Sequence, residues 1–375
     1  MQTNTDKKKR WVVKIGSALI TAEAGLNLEN IHQWSRQFAQ LIQEGVELVL
    51  VSSGSIAEGM HRLQWTNRPT AIHELQAAAA VGQMGLVRAY ESELKGHGIQ
   101  TAQILLTHDD LSNRNRYLNA KSTLATLLKL GVLPVINEND TVTTDEIRVG
   151  DNDNLAALVA NLISADQLII LTDQDGLFDR DPGKHADAKL ITSATAGDPA
   201  LIEMAGPSRN RLATGGMQTK VLAAQRAARS GTHTTIASGR AQDVLLRLHN
   251  GESIGTRLNA TQQKLVAHKM WLANHLKACG KLSVDSGAQQ RLKQGDCSLL
   301  PVGVTAVDGQ FRRGELVSIC SADGDEIARG LVNYNATEAA MLIGCKSDKI
   351  GERLGYVNEP ELINRDNMVA VDDRF

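Results

Sequence analysis

Strand-like runs at 11–16, 46–51, 103–107, 132–136, a run ending at Thr172, and HTTIASG at 233–239 each stop at a glycine or a polar segment, with helical patterns between them. This repetition of strand and helix, sustained to about residue 240, limits the possible folds more than any other feature. Parallel neighbours need a crossover long enough to hold a helix, so the chain is read as α/β with a parallel sheet covered by helices. Between the first two strands, Ile31, Trp34, Phe38, Leu41 and Ile42 recur at helical spacing and Gly45 ends the pattern. Ligands bind beyond the carboxyl ends of strands in open parallel sheets, and every polar, glycine-rich insertion here falls at such an end.

The densest insertion lies at 134–154, PVINENDTVTTDEIRVGDNDN, where Glu138, Asn139, Asp140, Asp145, Glu146, Asp151 and Asp153 follow a run that stops at Asn137. Amides and carboxylates together can hold a small molecule's ammonium and hydroxyl groups, or orient lysines or water on a metal. Asp151, Asn152 or Asp153 can equally cap the helix that opens at LAALVANLI. Lys14 interrupts a buried strand, where an ammonium either meets an anion or snorkels from the strand edge. SSGSIAEG at 52–59 supplies small residues ahead of a helix, suited to carboxylate or phosphate approach or to a plain turn. In ATGGMQTK, from Ala213, Gly215 and Gly216 precede a helix carrying Lys220, so backbone N–H groups and an ammonium can converge on one polyphosphate.

Other stretches carry less. The alanine-rich helix at 71–90 suits close packing and is assigned no chemistry. Arg114 and Arg116 are taken as solvated, and Asp173, Asp175, Asp179 and Asp181 occupy a turn. No GxxxxGK[ST] occurs and no GxGxxG follows a strand, which argues against a P-loop or dinucleotide fold. A formal net charge of -2 gives no global pull toward nucleic acid or membrane. No apolar run approaches the roughly 20 residues of a membrane span, so a cytoplasmic location is expected. Cys279, Cys297, Cys320 and Cys345 form no CxxC pair and are read as reduced, structural thiols.

From 246 to about 276 the periodicity weakens: GESIGTRLNATQQ resembles a connector and HKMWLANHLK a short amphipathic segment. Beyond it, KLSVD, SLLP, GVTAVDG, ELVSIC, EIARGLVNY and NMVAV are separated by glycine turns, as in a small β-barrel of about 90 residues. Arg312 and Arg313 lie in a turn there, taken as solvated rather than as an RNA contact.

VVKIGS at 12–17, VSSGSIAEG at 51–59, AAAAVGQ at 77–83, PVINENDTV at 134–142, VGDNDNL at 149–155, LTDQDGLF at 171–178 and TGGMQTK at 214–220 together resemble the two-domain bacterial glutamate 5-kinase family. The resemblance implies an α/β amino-acid kinase fold, with a largely parallel eight-stranded sheet between helix layers, over 1–260. It further implies a linker at 261–276 and a C-terminal PUA domain at 277–375. The activity implied is transfer of the ATP γ-phosphoryl group to the side-chain carboxylate of L-glutamate, the first step toward proline. By motif, Lys14, Thr172, Asp173, Thr214, Gly215, Gly216, Met217, Gln218, Thr219 and Lys220 would bind ATP. Ser53, Gly54, Asn137, Asp140 and Asn152 would hold or flank glutamate.

A carboxylate nucleophile needs no general base, so Lys14 and Lys220 are assigned to the transferring phosphoryl oxygens, with Asp153, and Asp151 similarly, holding those lysines. Mg²⁺ is expected to arrive with ATP, bound mainly through phosphates, with no dedicated protein metal site. Ala18, where many relatives carry a hydroxyl, and Ser55, where alanine is common, depart from the pattern without removing a charged group. Proline as feedback inhibitor, a homo-oligomer and a glutamyl-phosphate reductase partner are also implied. The rival readings are an enzyme of the same fold acting on aspartate, N-acetylglutamate or UMP, and an RNA-binding PUA protein.

Overall fold

Strand β1 (Arg10–Ile15) has Trp11, Val12, Val13 and Ile15 buried, as a strand covered on both faces requires, which explains its nearly unbroken apolar composition. The computed structural model describes residues 8–22, 25–143, 152–206, 216–261, 278–293 and 297–370. The chain divides into two compact units, Met1–Ser112 with Asn119–Gln262, and Asn113–Leu118 with Gln263–Phe375.

In the larger unit β1 is followed by α1 (Ser17–Ile20), a small hairpin of β2 (Thr21–Ala22) and β3 (Gly25–Leu26), α2 (Leu28–Gln43), β4 (Glu47–Ser52), α3 (Ser55–Arg62) and α4 (Ile72–Lys95). Then come β5 (Thr101–Leu106), α5 (His108–Ser112), α6 (Arg114–Lys129, of which the part from Asn119 onward belongs to this unit), β6 (Leu133–Glu138), α7 (Asn152–Leu162) and β7 (Gln167–Thr172). β8 (Ser193–Thr195), α8 (Ala200–Ala205), α9 (Met217–Ala228), β9 (His233–Ser238), α10 (Val244–His249) and β10 (Thr256–Asn259) complete it. The eight-stranded sheet has the order β5-β6-β4-β1-β7-β9-β10-β8. β1 pairs in parallel with β4 on one side and β7 on the other. The chain therefore winds outward in both directions from β1, and the carboxyl ends of β1, β4 and β7 frame a crevice where no crossover intervenes.

Helix α2 shows why the local pattern folds as it does. Asn27 caps it by accepting from the Asn30 N–H, while Ile31, Trp34, Phe38 and Leu41 bury one stripe against the sheet. β10 corrects the expectation of a plain connector there: Thr256 and Leu258 are fully buried, and β10 runs antiparallel to β9 beside parallel β8. A four-residue strand with a single aliphatic side chain leaves no apolar run to read. The segment HKMWLANHLK lies outside the described residues, as does the side chain of Arg114.

Two glycines fix how α3 meets α4. A Cβ on Gly59 would stand 1.7 Å from the Ala78 carbonyl oxygen, and one on Gly82 would stand 1.8 Å from the Ser55 carbonyl oxygen. Gly82→Ala is expected to destabilise the fold by about 3 kcal/mol, read from a denaturant midpoint, because both colliding atoms are backbone. An unchanged midpoint would show that α3 shifts freely.

In the smaller unit β11 (Gly280–Val284), α11 (Ser286–Lys293), β12 (Val304–Gly309), β13 (Leu316–Cys320), β14 (Glu326–Leu331), α12 (Ala336–Met341), α13 (Ile350–Leu354) and β15 (Met368–Ala370) build a strand-rich body. Its sheet has the order β12-β11-β13-β14-β15, with β11 and β13 parallel and the remaining pairs antiparallel. SLLP, read as a strand, contributes only a bridge between Leu299 and Ile363 before Pro301–Gly303 turns. Helix α12 was not anticipated, although its reciprocal Asn335 and Glu338 capping box is written in the sequence. Cys320 and Cys345 are buried, while Cys279 is exposed. Among the described residues no helix is long and apolar enough to cross a membrane.

Candidate active site

The crevice beside β1 gathers charge that the sequence scatters over some two hundred positions. Lys14 comes from β1, Asp153 from the first turn of α7 and Lys220 from the first turns of α9. Lys14 Nζ lies 2.7 Å from Asp153 Oδ1 and Lys220 Nζ 3.0 Å from Asp153 Oδ2. Thr219 Oγ1 is 2.7 Å both from Asp153 Oδ2 and from the Gly216 carbonyl oxygen. Lys14, Asp153 and Lys220 are only 5%, 2% and 4% exposed. Burial alone would raise the Asp153 pKa, but the charges of Lys14 and Lys220 and the bonds from Lys14 and Thr219 outweigh it and hold it well below the ordinary carboxylate range. Two ammonium groups share one carboxylate, so these three residues carry one net positive charge, an environment suited to an anion.

Beside this cluster stands a network of amides and hydroxyls. Asn152 Nδ2 lies 3.0 Å from Ser53 Oγ, 3.2 Å from the Ser52 carbonyl oxygen and 2.9 Å from Asn137 Oδ1. Asn137 Nδ2 donates to Gln83 Oε1 at 2.7 Å and to Ser55 Oγ at 3.2 Å, and Ser55 Oγ donates to Asp140 Oδ2 at 3.3 Å. Gly54 takes φ +102° between β4 and α3, a left-handed conformation that turns the chain sharply so α3 begins at the crevice.

Two clefts meet here. The smaller, about 150 Å³, is lined by Lys14, Gly16, Ser17, Ser53, Gly54, Asn137, Asp140, Asn152 and the amino-terminal turn of α3. The larger, about 730 Å³, runs along the turn after β7 to Gly216, Met217 and Gln218 at the start of α9. Both are bordered by Thr172, Asp173 and Lys220.

Most of the residues singled out from the sequence thus converge on one crevice. Asp151, Thr214 and Gly215 lie outside the described residues, as do Asp145 and Glu146. Asn152 and Asp153 are helical rather than caps, and their side chains turn back to β1, β4 and α9. Helix α4, assigned no chemistry, supplies Gln83, which is buried against Asn137. The signal was present: Leu75, Ala79, Gly82, Gln83, Leu86 and Tyr90 mark the buried stripe of α4, and a carboxamide on such a stripe needs a partner. Ser55, noted only as a departure from a pattern, bridges Asn137 and Asp140. Arg68 and Glu138 also line the smaller cleft, and neither was singled out from the sequence as a site residue.

Residues 9–238 match the amino acid kinase family and residues 280–354 the PUA domain. The glutamate 5-kinase of Methylobacillus flagellatus is 59% identical over 364 residues, covering 97% of this chain and 98% of that protein. The glutamate 5-kinase of Pseudomonas syringae pv. tomato is 59% identical over 372 residues, covering 99% and 100% respectively. Among solved structures, the UMP kinase of Bacillus anthracis superposes with a TM-score of 0.48 at 15% identity, covering 68% of this chain and 97% of that one.

Proposed function

This chain belongs to the amino acid kinase family, among its glutamate 5-kinases, and from that premise we propose how its residues carry the ATP γ-phosphoryl group to the L-glutamate side-chain carboxylate. The reaction yields γ-glutamyl phosphate and ADP and opens proline biosynthesis. The observation that carries the assignment of roles is the Lys14–Asp153–Lys220 cluster at the junction of the two clefts.

The larger cleft takes the nucleotide, with Thr172, Asp173, Gly216, Met217 and Gln218 along it and the amino terminus of α9, including Thr219, toward the phosphates. Thr214 and Gly215, outside the described residues, belong to the same proposal by sequence motif. The smaller cleft takes glutamate, its ammonium toward Asp140 and Asn152 and its side-chain carboxylate toward Lys14. An ionised carboxylate is already nucleophilic, so the chain's contribution is alignment and charge neutralisation. Lys14 and Lys220 face the charge spreading over the phosphoryl oxygens, while Asp153 keeps both ammonium groups in place.

Among the described residues no group of three or more His, Cys, Asp or Glu is arranged to hold a metal. Mg²⁺ would enter with ATP, held mainly through its phosphates, and would supply neutralisation of part of their charge. The proposal also includes proline feedback, assembly of identical chains, a glutamyl-phosphate reductase as recipient and a cytoplasmic location. No described residue is assigned to any of these. We place the kinase domain at 1–260, the linker at 261–276 and the PUA domain at 277–375.

ADP release with glutamate, aspartate, N-acetylglutamate and UMP in turn, with hydroxylamine trapping of any acyl phosphate, tests the acceptor. Glutamate is expected to be strongly preferred, and preference for any other acceptor overturns the assignment. Asp140→Ala is expected to raise glutamate KM by about tenfold or more while kcat changes little, since a charged hydrogen bond to the ammonium is lost in ground and transition states alike. A fall in kcat at constant KM would place Asp140 elsewhere in the reaction.

A further inference from the structure

The wall behind the smaller cleft contains three carboxamides in series, from Gln83, Asn137 and Asn152. Their direction is dictated from one end. The Ser52 carbonyl oxygen can only accept, so the Asn152 group 3.2 Å away must be its NH₂. That NH₂ also lies 2.9 Å from Asn137, which must therefore offer its oxygen. Asn137 is then left with its own NH₂ toward position 83, 2.7 Å away, and only an acceptor there satisfies it. Gln83 is 6% exposed, and its Nε2 has no hydrogen-bond partner among the described residues. Accepting from Asn137 is thus its one hydrogen bond among them.

The consequence appears at the other end of the series. With its NH₂ turned to Ser52, Ser53 and Asn137, Asn152 is left with Oδ1, which is buried and has no partner among the described residues. Asn152 lines the smaller cleft together with Asp140, so this oxygen adds a neutral acceptor to the carboxylate. We propose that Gln83 is a positioning and specificity-determining residue, whose carboxamide oxygen completes a donor-to-acceptor series through Asn137 that holds Asn152 Oδ1 ready to accept from the substrate's α-ammonium. The inference rests on reading the smaller cleft as the amino-acid site. Gln83 does not touch substrate; it acts through Asn137.

The test exploits amide polarity. Gln83→Glu keeps an acceptor at position 83, whereas Gln83→Lys places a donor there and faces the Asn137 NH₂ with another N–H. The two variants introduce charges of opposite sign, so neutral Gln83→Met, which removes the acceptor without adding charge, is measured beside them and its ratio must also fall below that of the parent. Glutarate lacks the ammonium but keeps both carboxylates, so the ratio of its competitive Ki to the glutamate KM reports the ammonium contact. Gln83→Lys is expected to lower that ratio by about tenfold with kcat held within about threefold, while Gln83→Glu stays within about twofold of the parent. Thermal midpoints measured alongside separate loss of fold from loss of discrimination.

An unchanged ratio in Gln83→Lys or Gln83→Met, or an equal fall in both charged variants, overturns the proposal. If Gln83→Lys does not fold, Gln83→Met decides alone, and its ratio must fall below that of Gln83→Glu. A parent enzyme that does not use glutamate overturns the assignment of the cleft itself, whereas a parent that does, with an unmoved ratio, overturns only the role of Gln83.

Discussion

Asp153→Asn is expected to lower kcat by about a thousandfold or more and to destabilise the fold by about 3 to 5 kcal/mol. The size follows from what remains when the charge is removed. Lys14 and Lys220 bring two ammonium groups to one carboxylate, at 2.7 and 3.0 Å, with all three groups almost wholly buried. An amide of the same shape fills the space but neutralises neither cation, and their mutual repulsion in a low-dielectric site is relieved only by moving apart. Either ammonium that moves leaves the junction of the two clefts, where phosphoryl charge is proposed to develop.

The pH dependence has a definite sign. Asp153 in the folded state is held below its ordinary value of 3.8, so its stabilising contribution is complete above that value and is lost as pH falls through the depressed folded value. The parent protein should therefore lose this contribution only in strong acid, and Asp153→Asn should show a smaller loss of stability than the parent over that same acid range. Steady-state kinetics and denaturant titrations at neutral pH and below 4 provide the check. A variant within tenfold of parental kcat would remove Asp153 from its proposed role.

Lys14 and Lys220 were legible in the sequence because each violates its local context: a cation inside a buried strand, and a lysine just after two glycines at a helix start. Much of the sheet was equally legible, since β1, β4, β6 and β7 carry continuous or nearly continuous apolar runs. β10 escaped because TRLN places only Thr256 and Leu258 inward. Gln83 escaped for another reason. The alanines around it give α4 a face whose job looks complete without polar partners, and the Asn137 that Gln83 meets lies 54 positions away along the chain. Hydrogen-bond satisfaction across such a distance is a tertiary property, which periodicity does not encode.

Lys220→Met should separate catalysis from stability. The expected outcome is a fall in kcat of about 100- to 1000-fold, with glutamate KM within about threefold, because the lost charge matters most as negative charge spreads over the transferring phosphoryl group. The fold should suffer less than in Asp153→Asn. Removing Lys220 leaves Lys14 and Asp153 as a one-to-one pair at 2.7 Å, whereas removing the carboxylate leaves two cations facing each other. Methionine also fills most of the lysine stem's volume, so the cavity term stays small. The two variants measured together are therefore more informative than either alone: both should be catalytically crippled, and only Asp153→Asn should show a large drop in its unfolding midpoint. If Lys220→Met instead raises glutamate KM at unchanged kcat, Lys220 serves acceptor binding; if it destabilises as much as Asp153→Asn, the cluster is a structural ion pair whose charge balance does not govern phosphoryl transfer.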